Sequence, residues 1–579
     1  MLAIVCALSI IPACAQTAAD TLVGLWGAEE TLGPAIRGEL VFDLSGTQWH
    51  ATIAGNEVLL QQHGDELQFT LPNDKGEFRG RLRPGPSLQG HWIQPAGRFN
   101  NNRYASPVHF EVAGNRRWKG QVRPLEERFS VYLSVRREKD GSITAILRNP
   151  ESNEFRRRIY QVKLENSRVE LVSQAQTLKG AYDSTKDRLS LALLDGVPDI
   201  GFSRRSSQNA IGFYARGRPV TPYVYHPPTP VNDGWSTATL SEVRLQEKPL
   251  SALIRKIAEA DPSDNPINIQ SLLIARHGKL VLEEYFYGFD RDRPHDLRSA
   301  GKTLAPVLLG IARDHGAAVR PSSQLYSFFE QYKPFANWDE RKAQITVRDV
   351  MTMTSGLACD DNNDDSPGNE DNMQSQTKQT DWYKYTLDLP MVSSPGSSQA
   401  IYCSADLNLV GGLVRQVSGR WLPEFFEVNF SGPLQMDRYY LNLMPTGEAY
   451  TGGGAYLLPR DQLKLGQLYL DEGLWNGRRV VSKEWTIEST ARHSTFAPNL
   501  KDEPQHDYGY GWHERNFIQV GGRVLRDYVA GGNGGQLIIV IPDLDMVVGI
   551  NGGSYGDFRW YRWELDFLPQ FIVPAALSR

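Results

Sequence analysis

A β-hairpin is predicted by Ser271-Leu-Leu-Ile-Ala-Arg-His-Gly-Lys-Leu-Val-Leu-Glu-Glu-Tyr-Phe-Tyr287, in which two apolar runs flank a tight turn at His277-Gly278. A second hairpin is predicted near the far end of the chain, where Gln536-Leu-Ile-Ile-Val-Ile541 and Met546-Val-Val-Gly-Ile550 flank Pro-Asp-Leu-Asp. Strands from both ends of a segment can meet in one antiparallel sheet, which helices between them can cover. We therefore expect an α+β domain over residues 237–579.

Helical periodicity lies between the two hairpins. Lys302–His315 carries a continuous apolar face. Thr346–Thr354 opens with Thr346 and Asp349, which are spaced like a capping box. A third helical pattern covers Ala405–Val417. These helices would supply the second layer of the expected domain.

Residues 21–218 have a different pattern. Short β-prone runs are broken by Gly, Asn, Asp and Pro, and no helical period lasts three turns, so this region is expected to be all-β. A recurring order of charge, glycine and alternating apolar residues favours two related β modules, over residues 16–122 and 123–218. One larger barrel is the alternative, and a general likeness among all-β sequences would also explain the recurrence.

A proline-rich stretch separates the two regions. Residues 219–236 contain Pro219, Pro222, Pro227, Pro228 and Pro230 and end in Asn-Asp-Gly-Trp. Proline restricts the backbone to extended conformations, so the stretch predicts a semi-rigid linker and the main domain boundary.

The composition is that of an ordinary globular protein. The chain has 579 residues, of which 40% are hydrophobic and 22% charged, and its net charge is −5. This excludes a collagenous, wholly disordered or multi-span membrane chain and gives no reason to expect nucleic-acid binding. Residues 100–220 hold 22 basic and 13 acidic side chains. Peripheral contact with a membrane or cell-envelope polymer is one interpretation of this excess, and arginines scattered on a solvated barrel explain it as well.

The N-terminus predicts export. Leu2–Ala13 is an apolar run too short to span a bilayer, and Ala13-Cys14-Ala15 fits a small-residue cleavage site. We expect residues 1–15 to be a signal peptide and the mature protein to be exported, most simply to a bacterial periplasm. Lipid attachment at Cys14 is a second interpretation, and a buried N-terminal strand is a third.

Signatures of several other protein classes are missing. No Gly-x-Ser-x-Gly occurs, and Gly301-Lys302-Thr303 follows Asp296 where a phosphate loop needs glycine. The histidines and cysteines lack the spacing of a metal site. We therefore expect neither a metal nor another cofactor.

A run of acidic residues follows the second predicted helix. Its carboxylates are of the type that binds calcium, but they lack a regular ligand ladder, which favours a solvated loop. The run comprises Asp360, Asp361, Asp364, Asp365, Glu370 and Asp371.

Ser-x-x-Lys occurs twice, as Ser299-Ala-Gly-Lys302 and Ser375-Gln-Thr-Lys378. Ser375 lies in a polar segment without periodicity. Ser299 opens an apolar helix, where its hydroxyl lies at the positive end of the helix dipole, and Lys302 follows on the same face. A partly desolvated lysine can lose its proton near neutral pH and serve as a general base. The alternative is a helix-capping serine beside an exposed lysine.

Two later features strengthen the first motif. Tyr402 precedes a helix 103 residues after Ser299, and a phenol beside an amine can relay a proton from the serine to a leaving group. Ala530-Gly-Gly-Asn-Gly-Gly-Gln536 leads into a strand, and its bare backbone could offer N–H groups to an oxyanion. A core tyrosine and an ordinary turn are the alternatives.

The ordered set of motifs resembles the serine β-lactamase-like and penicillin-binding superfamily, in particular its class C-type hydrolase branch. The resemblance covers about residues 240–575. It implies a helical cluster beside an antiparallel sheet, and an acyl-serine mechanism with Ser299 as nucleophile, Lys302 as its base and Tyr402 as the tyrosine of the second motif. The set comprises Arg298-Ser-Ala-Gly-Lys302, Met353-Thr-Ser-Gly-Leu357, Tyr402-Cys-Ser404, Gly452-Gly-Gly-Ala455, Tyr508-Gly-Tyr-Gly-Trp512 and Gly531-Gly-Asn-Gly-Gly-Gln536.

Two positions depart from the family pattern. The second motif usually ends in asparagine, where this chain has Ser404, and the third usually begins with a basic residue, which is missing from Val529 to Gly532. That cation commonly helps to bind a substrate carboxylate, so its absence favours a neutral ester or amide. The resemblance assigns oxyanion and substrate contacts to Ser404, Gly531, Gly532, Asn533, Gly534 and Gly535.

The expected function is therefore that of an exported serine hydrolase acting on a small ester or amide. The alternatives are a true β-lactamase, a D-amino-acid peptidase, and a non-catalytic binding protein on the same fold. For the N-terminal region a lipocalin-like barrel is suggested by fold analogy with relatives only. The oligomeric state is not indicated.

A disulfide between Cys359 and Cys403 is a further hypothesis. Cys403 adjoins Tyr402, and Cys359 follows the Thr354-Ser355-Gly356 turn. An oxidising compartment would allow the pair to form and to fix Tyr402.

Overall fold

The computed structural model describes residues 18–577 apart from residues 32, 85–86, 98–101, 154, 156–157, 194–197, 263–266, 499–504, 516–517 and 521. The predicted signal peptide, with Cys14, lies outside the described residues. The chain forms two compact units. The first consists of the residues up to Glu30, Arg128–Thr221 and Ala258–Ile267, and the second of Thr31–Glu127, Pro222–Ile257 and the residues from Asn268 onward.

The first unit contains a closed β-barrel. Its strands, in barrel order, are Gly24–Thr31, Arg128–Arg137, Ile143–Arg148, Ile159–Glu165, Arg168–Val172, Thr177–Asp183, Arg188–Leu191 and Ile200–Arg204. Trp26, Tyr160 and Phe202 are among the side chains that fill its core. An all-β region is thus confirmed, whereas its lipocalin-like character is not.

The barrel differs from the predicted module boundaries in one respect. Gly24–Thr31 was expected in the first module, but it pairs with Ile200–Arg204 and closes the barrel of the second. The physical reason is Trp26, which is fully buried in the barrel core and covered by the Arg204 guanidinium. A short strand carries no sequence signal for so distant a partner.

The second unit begins with an open antiparallel sheet, which is the larger part of the first predicted module. Its strands are Gly38–Ser45, Gln48–Ile53, Asn56–Leu59, Gln61–His63, Glu66–Thr70, Glu77–Arg83, Ser87–Ile93, Arg103–Gly114 and Arg117–Val122. Phe42, Phe78 and Trp92 lie at the centre of its apolar face.

This sheet continues by hydrogen-bonded pairing into the α+β domain. Arg103–Gly114 pairs with Tyr439–Leu443, which pairs with Ala455–Leu457, and that strand pairs with His295–Asp296. His295–Asp296 ends three residues before Ser299. The first module, from Thr31 onward, and the α+β domain therefore belong to one compact unit that strand pairing connects.

The α+β domain is built on a nine-stranded sheet. Both predicted hairpins are confirmed, and they lie side by side because Ile269–Arg276 pairs with Met546–Gly552. The strands, in sheet order, are Ser236–Thr237, Lys279–Tyr285, Ile269–Arg276, Met546–Gly552, Gln536–Ile541, Tyr528–Gly532, His513–Glu514, His506–Tyr508 and Ser494–Phe496. Two short ladders complete the strands, Leu474–Trp475 with Arg478–Arg479 and Gln519–Val520 with Arg523–Val524.

Helices cover this sheet and form a cluster beside it. The predicted second helix is shorter than expected, at Val347–Met351, but its capping box between Thr346 and Asp349 is confirmed. Leu304–Asp314 packs against Ser404–Ser418, and Pro459–Leu470 packs on the central strands. The α-helices are Glu247–Glu259, Leu304–Asp314, Val347–Met351, Glu370–Gln374, Trp382–Asp388, Ser404–Ser418, Leu422–Phe426, Pro459–Leu470, Lys483–Ser489, Tyr561–Phe567 and Val573–Leu577.

The proline-rich stretch is held to the α+β domain by hydrogen bonds. From residue 222 to 235 it has neither helix nor strand, and it is anchored on the α+β domain. The Tyr225 hydroxyl donates to the carbonyl of Val281 at 2.8 Å, and the Trp235 indole donates to the carbonyl of Arg460 at 3.0 Å. Among the described residues, no helix is long and apolar enough to cross a membrane.

Candidate active site

Ser299 lies on a tight turn between a strand and a helix. After His295–Asp296 the chain makes a 3₁₀ turn over Arg298–Thr303, which continues into the α-helix Leu304–Asp314. The α-helix therefore begins two residues later than predicted, since the motif itself forms the 3₁₀ turn. Arg298 has a left-handed backbone with a φ of 47°. This conformation is uncommon for a residue other than glycine and often marks functional sites.

Two glycines allow neighbouring backbone to pack closely on this turn. A Cβ at Gly453 would come within 3.0 Å of the Arg298 carbonyl oxygen, and a Cβ at Gly532 would overlap the Leu297 carbonyl oxygen. The turn is thus held between the Gly452-Gly-Gly-Ala455 segment and the strand Tyr528–Gly532. Both segments belong to the motif set found in the sequence.

Lys302 and Ser299 are in direct contact. The Lys302 Nζ donates to the Ser299 Oγ over 3.0 Å, while the lysine side chain is almost fully enclosed, with 2% of the residue exposed. Burial lowers the pKa of Lys302 from its ordinary value, and the negative charges of Glu370 and Asp361 oppose that change. An exposed lysine, which was the alternative interpretation of the motif, is excluded by this burial.

Tyr402 completes the cluster. Its hydroxyl shares a hydrogen bond with the Ser299 side chain, and the Lys302 Nζ lies 4.9 Å from the centre of its ring. Burial raises the pKa of Tyr402, so the free phenol is neutral. The structure therefore brings a hydroxyl, an amine and a phenol together, as the sequence predicted. Such a group can move a proton on and off the serine oxygen.

The glycine-rich segment after Ala530 divides into two parts. Gly531 and Gly532 lie on a strand that packs on the Ser299 turn through Gly532. Gly534 and Gly535 have positive φ values of 95° and 93° and pack under Tyr555 and Trp563. These two glycines are explained by the turn, not by substrate contact.

Asn533 is exposed, and its side chain contacts a neighbouring loop. Its side-chain oxygen accepts a hydrogen bond from the backbone N–H of Gly556 at 3.0 Å. This contact ties the turn to the next loop, so the oxygen is already occupied.

Ser404 is fully buried, and its hydrogen bonds go to the carboxylates of Asp361 and Glu370. It is 0% exposed, and its backbone N–H and hydroxyl both donate to the Asp361 carboxylate, over 2.7 and 2.6 Å. The prediction that Ser404 contacts the substrate is therefore not supported by its position.

Two residues of the acidic run lie at the site, which the sequence interpretation missed. Asp361 and Glu370 both act electrostatically on Lys302 and Tyr402, and both lie within hydrogen-bond distance of the Ser404 hydroxyl. The solvated-loop prediction is wrong for these two, although it holds for Asp364, Asp365 and Asp371, which are exposed. One feature of the sequence could have placed Asp361 at the site. It lies two residues after Cys359, which is expected to pair with Cys403, the neighbour of Tyr402.

Cys359 and Cys403 form a disulfide. The same two segments are joined again next to it, because the Asp361 backbone N–H donates to the Tyr402 carbonyl oxygen at 2.8 Å. The acidic segment is thereby fixed against the residues that carry Tyr402 and Ser404.

His513 was a second omission. It lies opposite Val529 in the neighbouring strand, and its ring packs against Tyr508. The charge of Lys302 contributes to lowering its pKa. Burial lowers the pKa of His513 well below the ordinary value, so the ring is neutral. Among the residues that the structure describes, no group of three or more His, Cys, Asp or Glu could hold a metal ion.

The sequence model of the Beta-lactamase family matches residues 267–559, which is half of the chain. The chain belongs to the Beta-lactamase family. The match contains every motif named above, from the Ser299 turn to the glycine-rich strand.

Individual relatives are distant. The 6-aminohexanoate-dimer hydrolase of Paenarthrobacter ureafaciens is 24% identical over 254 residues, which are 42% of this chain and 61% of that protein. Simvastatin synthase from Aspergillus terreus is 15% identical, with 57% of this chain and 99% of that chain covered and a TM-score of 0.46. A penicillin-binding protein homologue from Caulobacter crescentus is 14% identical, with 57% and 98% covered and a TM-score of 0.42.

Proposed function

We propose that this member of the Beta-lactamase family is a serine hydrolase that cleaves a small ester or amide through an acyl-serine intermediate. The observation that carries the proposal is the 3.0 Å contact between the Nζ of the buried Lys302 and the Oγ of the half-buried Ser299, beside Tyr402. A lysine that is desolvated in this way is a suitable base for a neighbouring hydroxyl.

The reaction would proceed in two halves. Ser299 Oγ attacks the substrate carbonyl carbon and its proton passes to the neutral Lys302 amine. The bond to the leaving group then breaks, and that proton returns to the leaving group through the Tyr402 hydroxyl. Water attacks the resulting acyl ester with the same groups as base and acid, which releases the acid product and restores Ser299.

The oxyanion would be held by backbone N–H groups of Ser299 and of the strand that carries Gly531 and Gly532. This strand packs directly on the Ser299 turn, which supports the assignment. A rigid turn suits the task because preorganised donors stabilise the developing charge without reorganisation.

The substrate class is proposed from two observations. Val529 to Gly532 contains no basic residue, and His513 on the neighbouring strand is neutral, so a substrate carboxylate finds no cation there. The relative named 6-aminohexanoate-dimer hydrolase adds a small amide-type substrate to the candidates worth assaying. A neutral acyl group in an ester or amide therefore fits better than a β-lactam or a D-amino-acid peptide.

We also propose that the protein works in an oxidising compartment after export. The disulfide between Cys359 and Cys403 supports this, because such bonds persist outside the reducing cytosol.

The test is a substrate panel for wild type and Ser299→Ala, with short-chain p-nitrophenyl esters, the 6-aminohexanoate dimer, D-amino-acid amides and nitrocefin. We expect ester or amide turnover by wild type alone. Nitrocefin turnover that depends on Ser299 would instead identify a β-lactamase. No turnover together with no labelling by a fluorophosphonate would favour a binding protein.

A further inference from the structure

We propose that Asp361 and Glu370, bridged by Ser404, are positioning residues that hold negative charge beside Lys302 and fix the segment carrying Tyr402. Ser404 itself stands at the sequence position where the second motif of the family usually has asparagine. The inference rests on the proposed function, since it assigns a role in activating Ser299.

Asp361 joins three pieces of backbone. One carboxylate oxygen accepts from the backbone N–H and the hydroxyl of Ser404, at 2.7 and 2.6 Å. The other oxygen accepts from the backbone N–H of Glu370 at 2.9 Å. The Asp361 N–H itself donates to the carbonyl of Tyr402. Its side chain thus fixes the segment between Tyr402 and Ser404 relative to Glu370.

Glu370 is held from the opposite side. Its Oε1 accepts from the Tyr450 hydroxyl at 2.5 Å and from the Gln374 amide at 3.1 Å, while its Oε2 lies 3.3 Å from the Ser404 hydroxyl oxygen. The single hydroxyl proton of Ser404 therefore lies between two carboxylates. A serine fits this position because its oxygen can meet both.

The bridge faces the catalytic cluster. Both carboxylates act on Lys302 and on Tyr402 through their charge. Burial and the charge of Glu370 raise the pKa of Asp361 to about 6, while Lys302 and the hydrogen bonds from Ser404 oppose the increase. The groups that face Lys302 from the surrounding elements are Ser299, Tyr402, Asp361, Glu370 and His513.

The charge has a definite consequence for Lys302. Burial favours the neutral amine, and the carboxylates favour the ammonium ion, so the balance decides at which pH the base becomes available. Removing one carboxylate would make Lys302 lose its proton at lower pH and would make it a weaker base. Both effects can be seen in the pH dependence of Ser299 reactivity.

Glu370→Gln tests this charge with little change in shape. The glutamine oxygen can still accept from Tyr450, and its amide can donate to the Ser404 hydroxyl, which still donates to Asp361. The measurement is the rate of fluorophosphonate labelling between pH 5 and 10. In that reaction Ser299 Oγ attacks phosphorus, fluoride leaves and the hydroxyl proton passes to Lys302. We expect the midpoint of the profile to move down by roughly one pH unit, with a slower plateau.

The matched control is Asp364→Asn, an exposed carboxylate of the same loop, which should leave midpoint and plateau unchanged. Asp361→Asn, checked by thermal melting, should shift the midpoint in the same direction as Glu370→Gln. A Glu370→Gln profile with the wild-type plateau and an unmoved or higher midpoint would overturn the proposal. Failure of the wild-type protein to react would instead refute the proposed function, so the two failures are distinguishable.

Discussion

The chain contains the Ser-x-x-Lys pattern at two places, and the structure makes them physically different. Ser299 and Lys302 lie on a turn packed between two glycine-rich segments, and their side chains are in contact at 3.0 Å. Ser375 and Lys378 are exposed, and the Ser375 hydroxyl only donates to the Asn372 carbonyl at the end of a short helix. The four-residue pattern alone therefore carries no chemistry.

The difference teaches which surroundings make such a pattern reactive. An exposed lysine keeps its charge because water solvates it, whereas the enclosure of Lys302 favours the neutral amine that a general base needs. The residues that the fold places around the motif therefore matter as much as the motif itself. Tyr402 and the Gly531–Gly532 strand reach Ser299 from distant parts of the sequence, and nothing comparable surrounds Ser375 within the part of the chain that the structure describes.

The largest expected effect is the loss of the nucleophile. Ser299→Ala should lower ester or amide turnover by roughly three orders of magnitude or more and abolish fluorophosphonate labelling, because it removes the oxygen that attacks. Ser375→Ala should leave both unchanged. Mass spectrometry of the labelled peptide checks the pair, and label retained in Ser299→Ala would contradict the assignment.

Replacing the lysine of each Ser-x-x-Lys motif should change the rate by very different amounts. Lys302→Arg keeps a cation but removes a group that can lose its proton, so turnover should fall by about 10²–10⁴-fold. In wild type the rate should rise with pH as Lys302 becomes neutral, and its midpoint should lie below the ordinary lysine value because burial lowers that pKa. Lys378→Arg is the control. Rates that are equal in both variants across the pH range would show that Lys302 is not the base.

A smaller effect is expected from the packing around the Ser299 turn. Gly532→Ala would place a methyl group against the Leu297 carbonyl oxygen and 3.0 Å from the Ala300 nitrogen. We expect this overlap to displace the Ser299 turn. A displacement of about 1 Å at a catalytic group can cost roughly 100-fold in rate. Ala at Gly531 meets only Leu537, at 3.8 Å, and should be tolerated. Comparable rates for the two variants, measured alongside their melting temperatures, would argue against a close fit at Gly532.

Much of the α+β domain could be predicted because its signals are local. The apolar runs around His277 and around the Pro-Asp-Leu-Asp turn both became hairpins, and Thr346 and Asp349 form the expected cap. The strand Gly24–Thr31 could not be assigned correctly, since its partners lie far along the sequence and depend on the burial of Trp26.

The candidate site could also be predicted only in part. Ser299, Lys302 and Tyr402 were found because their residue types and order carry the chemistry. Asp361 and Glu370 were missed because a carboxylate in a polar segment looks solvated, and only the fold brings it beside Ser404. The motif position of Ser404 suggests a substrate contact, whereas its backbone N–H and hydroxyl are used within the protein.

The pairing of Arg103–Gly114 with Tyr439–Leu443 limits how this protein can be cut for study. A fragment that starts at residue 237 looks complete from the sequence, because it carries every motif of the family. It would nevertheless expose the backbone edge of Tyr439–Leu443 and uncover Tyr440, which is fully buried in the whole chain. Bare strand edges promote aggregation. Poor behaviour of such a fragment would therefore reflect a missing strand, and its loss of activity would not assign a substrate contact to the N-terminal sheet.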